Sequence, residues 1–372
     1  MTALLHDFLK DEYERVSLAF DVSELKSKTF LITGANGLIG SNLINVLYFL
    51  NIKHGLKIKV TGHSFSAPVA WLPKSQGFTY LSSDLAEGLK DMPFDFLIHT
   101  ATYGQPKKFI RNKLETVRLN TETLINLLEM SRKNNAKVLF VSSSEVYGQI
   151  PAEIMPVTET YPGNVDTQSE RAVYAESKRM AETICNIFSK NGLWVKIARL
   201  AIAYGPGVKF SDSRFMNEFI RRALKNGALT MMDAGNAMRC FCFISDMIEM
   251  MLNTLLASRD TLYNLAGTDN KTIREVAEMI SQNLNVPLYL PQQEESIGGT
   301  PAQLVLSNAK YCKEFNKQDF IPFENGLKKT IEWLELLNKE EEKMKKYPPP
   351  LLRLIVVISN KTTKSFCPYR LS

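Results

Sequence analysis

None of the five cysteines (Cys185, Cys240, Cys242, Cys312 and Cys367) forms a CxxC pair, and the four histidines are scattered. That leaves no recognisable zinc site or disulfide framework, assigns no residue to a metal, and suits a chain kept in a reducing cytoplasm. The N-terminus lacks the character of a signal peptide and carries Asp7, Asp11, Glu12 and Glu14 instead. A membrane span is missing too: the apolar stretch near the end, Leu351 to Ile358, is short and contains Arg353. Acidic residues are absent from 343–372, which hold seven Lys or Arg. Without those seven, 38 basic residues face 39 acidic ones, so the formal charge of +6 resides in the tail. Charge therefore gives no argument for nucleic-acid binding. What is present is an ordinary globular composition, 45% hydrophobic and 23% charged over 372 residues.

Apolar strand candidates alternate with helical patterns through the first half. Thr29–Thr33, Ile58–Thr61, Phe78–Leu81, Phe94–His99, Val138–Ser142 and Val195–Leu200 read as buried strands. Leu38–Leu50, Thr116–Asn134 and Tyr174–Lys190 read as helices. This alternation predicts an α/β fold, a doubly wound Rossmann-type parallel sheet covered on both faces. The expected organisation is an N-terminal helical extension over 1–27 and a dinucleotide-binding domain over 28–200, with 240–268 returning to it. A smaller substrate lobe takes 201–239 and 269–338, and a basic tail takes 339–372. Trp194, Trp333 and the methionines Met231, Met232, Met247, Met250 and Met251 read as core.

Gly34-Ala35-Asn36-Gly37-Leu38-Ile39-Gly40 spaces its glycines as GxxGxxG between a strand and a helix. Glycine lets backbone approach a pyrophosphate, and the helix N-terminus attracts its charge. The second strand ends in Gly62-His63-Ser64, without the Asp or Glu that would grip the adenosine ribose of NAD. Small polar residues there leave room for NADP. Asp84, after the third strand, reads either as a partner for the adenine amino group or as a local N-cap.

Ser142-Ser143-Ser144-Glu145-Val146-Tyr147-Gly148 ends one strand, and Tyr174-Ala175-Glu176-Ser177-Lys178 opens the helix that follows. Tyr174 and Lys178 at i and i+4 share a helix face, where a cation is expected to lower the phenol pKa. With Ser143 holding the substrate oxygen, Tyr174 becomes an acid/base for a hydroxyl and Lys178 its cofactor-side partner.

Together these residues resemble the extended short-chain dehydrogenase/reductases, the NAD-dependent epimerase/dehydratase family of nucleotide-sugar enzymes, over about residues 28–338. Further matches are His99-Thr100-Ala101, Asn120, Tyr204-Gly205-Pro206 and Arg239 leading into Phe243-Ile244-Ser245-Asp246. The resemblance implies cofactor contacts at Gly34, Asn36, Gly37, Leu38, Ile39, Gly40, His63, Asp84, Leu85, Thr100, Ala101, Asn120, Tyr174 and Lys178. It implies substrate contacts at Ser144, Arg214 and Arg239, a nucleotide-diphosphate sugar as substrate, and a homodimer through the Thr116–Asn134 and Tyr174–Lys190 helices.

Such enzymes first oxidise the sugar at C4 to a ketone. Glu145 in the Ser-Ser-Glu-Val-Tyr-Gly run resembles the UDP-glucuronate decarboxylase and dTDP-glucose 4,6-dehydratase types, which implies a second catalytic base at Glu145 rather than a local turn cap, so elimination or decarboxylation is expected next. Arg171 and the Asp212-Ser213-Arg214 stretch strengthen the decarboxylase likeness. Three positions depart from it: Ser144 replaces the dehydratase acid, Ile202 an asparagine, and Gly299-Thr300-Pro301 an arginine-bearing run. A 4-epimerase, an NADPH-dependent 4-keto-reductase and a non-enzymatic dinucleotide sensor or scaffold are the alternatives.

Overall fold

The computed structural model describes residues 2–291 and 302–346, which places the Gly299-Thr300-Pro301 departure and most of the basic tail outside the described residues. Seven parallel strands form the central sheet: β1 (Thr29–Thr33), β2 (Lys59–Ser64), β3 (Phe78–Ser82), β4 (Phe96–His99), β5 (Lys137–Ser143), β6 (Val195–Leu200) and β10 (Leu262–Leu265). Their order is β10-β6-β5-β4-β1-β2-β3. Every residue of β4 and β6 is buried, as a sheet covered on both faces requires.

Helices α1 (Thr2–Phe8), α2 (Lys10–Ser17) and α3 (Leu38–His54) lie toward the start of the chain. The N-terminal extension is more than a lead-in. Leu5, Leu9, Tyr13 and Val16 are fully buried, and the Tyr13 hydroxyl donates to Asn42 on α3 at 3.0 Å. The stretch read as one helix from Thr116 is two, α5 (Lys113–Asn120) and α6 (Glu122–Lys133), with Thr121 non-helical between them. The short α4 (Pro106–Arg111) precedes them, and α7 (Ala172–Lys190) follows β5.

Beyond β6 the elements are β7 (Ile202–Tyr204), α8 (Phe215–Asn226), β8 (Leu229–Thr230), β9 (Met238–Phe243) and α9 (Ile244–Ala257). After β10 come β11 (Asn270–Thr272), α10 (Ile273–Leu284), β12 (Leu288–Tyr289), β13 (Gln303–Leu304), α11 (Ala309–Phe315) and α12 (Phe323–Lys346). β9 pairs with β7, β11 and β13 in a second sheet. Thr272 and Glu275 form a reciprocal capping box that fixes where α10 begins. The final helix continues through the charged run from Lys339 to Lys346. Lys and Glu are good helix formers, so polarity alone does not end a helix.

Trp333 is core, with 1% exposure, but Trp194 is 39% exposed and Met232 58%. Trp194 precedes β6, where its indole donates to the Leu255 carbonyl at 2.9 Å and the Lys137 and Lys196 ammoniums lie over its ring. Beneath the sheet's carboxyl edge, Arg199 on β6 grips Glu182 on α7 at 2.6 and 3.0 Å, and Ser142 donates to the same carboxylate at 2.5 Å. All three residues are buried, so each charge depends on the other. This clamp fixes α7, and with it the Tyr174 motif, against β5 and β6.

Candidate active site

The sheet order reverses direction at β1, which lies between β4 and β2. A crevice at the carboxyl ends of such strands is the usual ligand position in open α/β sheets. Gly34 follows β1, and its φ of +77° is one that side chains rarely adopt. A Cβ there would lie 2.4 Å from Thr100 Oγ1, and one on Gly40 would lie 2.3 Å from the Gly34 carbonyl. The loop is thus drawn tight against β4 and against α3, leaving its backbone as the exposed surface of a cradle. Leu38, Ile39 and Gly40 form the first turn of α3.

The Asn36 side chain is committed elsewhere. It donates to Ser66 and to the Ala67 carbonyl at 2.7 Å, and accepts from Val69 N at 3.0 Å, pinning the 66–69 loop. His63, at the end of β2, is 1% exposed, with Nε2 against Ser83 at 2.9 Å and Nδ1 lacking a hydrogen-bond partner. Asp84 caps the turn at Leu85–Glu87 through Ala86 N at 2.9 Å, as the N-cap reading expected. Thr100 donates to the Thr33 carbonyl at 2.7 Å, and Ala101 follows it in the same loop. Asn120 lies on α5 and donates to Ser177 at 3.0 Å, while its Oδ1 is buried without a partner. Partnerless polar atoms at His63 and Asn120 and a cradle that tolerates no side chain fit a dinucleotide.

The residues expected to be catalytic converge at the ends of β5 and α7. Tyr174 is 8% exposed, with Ser143 near enough to favour its phenolate. Its ring stacks on Phe109 of α4, centroids 4.9 Å apart and planes 12° apart. Lys178 is 1% exposed, donates to the Val141 carbonyl at 2.8 Å and lies over the Phe140 ring. Burial pushes it down to about 7.

The expectation that Lys178 lowers the Tyr174 pKa does not hold. Burial, followed by the Glu145 charge, raises Tyr174 to about 12, and only Ser143 and Arg214 act to lower it. A buried ammonium that is itself short of solvation has little charge to offer a phenol on the next turn.

Glu145 opens a 3-10 turn at Ser144–Tyr147, its N–H donating to Ser143 Oγ at 3.2 Å. Its carboxylate is ion-paired with Arg171. The Arg171 guanidinium lies 5.6 Å from the centre of the Phe109 ring, which therefore meets both Tyr174 and Arg171. Arg239 on β9 is buried within electrostatic reach of Glu145 and Arg171. Arg214 is close enough to act on Tyr174 and is held by Asp212 at 2.9 and 3.1 Å. Ser144 is buried, 6% exposed.

Sequence reading missed Phe109 and Gln105. Phe109 stands among basic residues that suggest an exposed segment; Pro106 at the first helical position was the available signal for α4.

The pattern of the NAD dependent epimerase/dehydratase family matches residues 30–266. UDP-glucuronic acid decarboxylase 6 of Arabidopsis thaliana is 31% identical over 280 residues, spanning 72% of this chain and 77% of that protein. UDP-glucuronic acid decarboxylase 1 of Danio rerio is 29% identical over 320 residues, 84% of this chain and 74% of that one. Among solved structures, UDP-glucuronic acid 4-epimerase from Bacillus cereus, in complex with UDP-glucuronic acid and NAD, superposes with a TM-score of 0.70 at 21% identity, covering 83% of this chain and 99% of the other. The dTDP-glucose 4,6-dehydratase from Bacillus anthracis, in complex with NAD, gives 0.69 at 22% identity, covering 84% and 98%.

Proposed function

This chain belongs to the NAD dependent epimerase/dehydratase family, and we propose that it is a nucleotide-sugar decarboxylase that oxidises C4 of a hexuronate and then releases its C6 carboxylate as carbon dioxide. The observation that carries this reading is the charge around Tyr174: three guanidiniums, Arg171, Arg214 and Arg239, face two carboxylates, Glu145 on Arg171 and Asp212 on Arg214, which leaves one positive charge over. That balance suits a substrate bearing a diphosphate and a carboxylate. Elimination at C6 would need an acid for the departing hydroxyl, and the position beside Glu145 is Ser144.

The Gly34–Gly40 backbone, His63, Asp84, Thr100, Ala101, Asn120 and Lys178 would hold NAD, which when bound accepts hydride from C4. Ser143 orients the C4 hydroxyl, and Tyr174 takes its proton; burial and Glu145 hold the phenol high, to about 12, and Ser143 and Arg214 are the groups that oppose them. The resulting ketone is β to the C6 carboxylate, so the C5–C6 bond breaks with its electron pair passing into the C4–C5 enolate. A proton delivered through Glu145 then closes C5. Tyr174 gives its proton back to the C4 oxygen, and with hydride restored to carbon no net oxidation would remain.

The cofactor layer of 28–200 with 240–268, the substrate lobe of 201–239 and 269–338, and the homodimer belong to the same proposal. Exposed Leu114 on α5 and Met180 and Ile187 on α7 support pairing through those helices. A Met180→Glu variant sedimenting like the unchanged chain would remove that part. The free thiols Cys185, Cys240, Cys242 and Cys312 support a cytoplasmic setting. Among the described residues no helix is long and apolar enough to cross a membrane.

Replacing Tyr174 with Phe tests the catalytic assignment. Turnover should fall by about a thousandfold or more while NAD content is unchanged; retained turnover would refute it.

A further inference from the structure

A groove of about 540 Å³ runs beside α4, lined by Lys107, Lys108, Arg111 and Asn112 together with Gln105, Ser211 and Ser213. None of its lining residues is acidic. Lys108 and Arg111 are one helical turn apart, as are Lys107 and Arg111, so three like charges crowd one face of a six-residue helix. Such pairs destabilise a helix. A fourth cation, Lys209, comes from the facing loop. Burial and then the nearby Lys108 charge push its pKa down, against the opposing pull of Asp212.

The nearest opposing charge is already engaged. Asp212 is bound by Arg214 at 2.9 Å and accepts from Gln105 at 3.0 Å. Ser213 donates to the same Gln105 at 3.0 Å, so the groove wall is a connected polar frame. Outside its basic tail the chain balances acid against base, so this concentration of cations is local.

The groove adjoins the reacting centre. The opposite face of α4 carries Phe109, stacked on Tyr174, and the Gln105–Asp212 link leads to Arg214, which acts on Tyr174. An anion here sits one helix away from the catalytic phenol.

We propose that this groove is an encounter site for diphosphate groups at the mouth of the catalytic cleft, collecting the incoming nucleotide sugar before it reaches Arg239. The proposal rests on the nucleotide-sugar reading for its substrate, but its anion chemistry stands on the groove alone. Four clustered cations attract a multiply charged anion far more than a single one, and such a field raises association rates at low salt.

The test is calorimetric titration of inorganic pyrophosphate into the full chain at low salt, with Lys107→Gln/Lys108→Gln and Arg239→Gln variants alongside. Lys107 and Lys108 are exposed, so their replacement leaves the core intact. The proposal expects saturable binding that the double variant weakens at least tenfold and that survives in Arg239→Gln. No binding, a smaller change in the double variant, or loss in Arg239→Gln alone would overturn it. Titration needs no turnover, so an inactive enzyme would sink the catalytic reading without touching this one. In steady state, the double variant should lose about tenfold in kcat/KM at low ionic strength and converge on the unchanged enzyme at high salt. Parallel salt dependence would also overturn the proposal.

Discussion

Phe109 and Tyr174 stack almost parallel, centroids 4.9 Å apart, and this contact sets the acid/base phenol against α4. Because the same ring meets the Arg171 guanidinium, it fixes both the phenol and the partner of Glu145. Phe109→Leu should lower kcat about ten- to a hundredfold with little change in bound cofactor, since small misplacements of reacting groups are costly. Steady-state kinetics beside cofactor quantitation checks this; an unchanged kcat would mean the stack is packing only.

Glu145 is expected to deliver the C5 proton. Glu145→Gln should cut turnover about a hundredfold or more, and Arg171, left without its carboxylate, should not restore it. In the unchanged enzyme, product formed in heavy water should carry deuterium at C5, read by mass spectrometry. If Glu145→Gln makes labelled product at the normal rate, another group delivers the proton.

Lys178 makes stability depend on pH. Burial lowers its folded pKa to about 7, while the unfolded chain holds lysine near ~10.4. Between these values the unfolded state binds more protons, so this residue makes stability rise with pH. Below pH ~7 the folded chain carries the buried cation at full penalty. Lys178→Met should therefore raise the melting temperature, most at acidic pH and least near pH ~10. Melting curves across that range decide it, and a variant less stable at acidic pH than the unchanged chain contradicts the account.

The N-terminal extension is held by charge as well as by apolar contact. Arg15 on α2 donates to Asp246 on α9 at 2.6 Å, and Lys317 stands 3.2 Å from the same buried carboxylate. Asp246→Ala loosens Arg15 and leaves Lys317 with Glu249 as its remaining carboxylate at 2.9 Å, and should cost about 1–3 kcal/mol. Chemical denaturation measures this; a change below about 1 kcal/mol would show that the cluster adds little.

The sheet was legible because fully buried strands such as β4 leave continuous apolar runs between helices. The glycine loop was legible because Gly34 and Gly40 sit where no side chain fits. Other features hang on long-range burial that no local pattern reports. Lys178 follows Tyr174 by one turn, so spacing suggested a cation activating a phenol. The structure buries that ammonium against Val141 and Phe140, and burial together with Glu145 decides the phenol pKa instead. Phe109 was hidden in a basic segment, and Arg15 met Asp246 only across 231 positions of chain.

The central claim is that this site oxidises a nucleotide hexuronate at C4 and then decarboxylates it. Mass spectrometry of products from a panel of UDP-, dTDP-, GDP- and CDP-sugars, including UDP-glucuronate, tests it most directly. The account predicts a pentose product lighter by carbon dioxide from the uronate, with no net reduced cofactor released. A product of unchanged mass, loss of water instead, or no turnover of any hexuronate would contradict it.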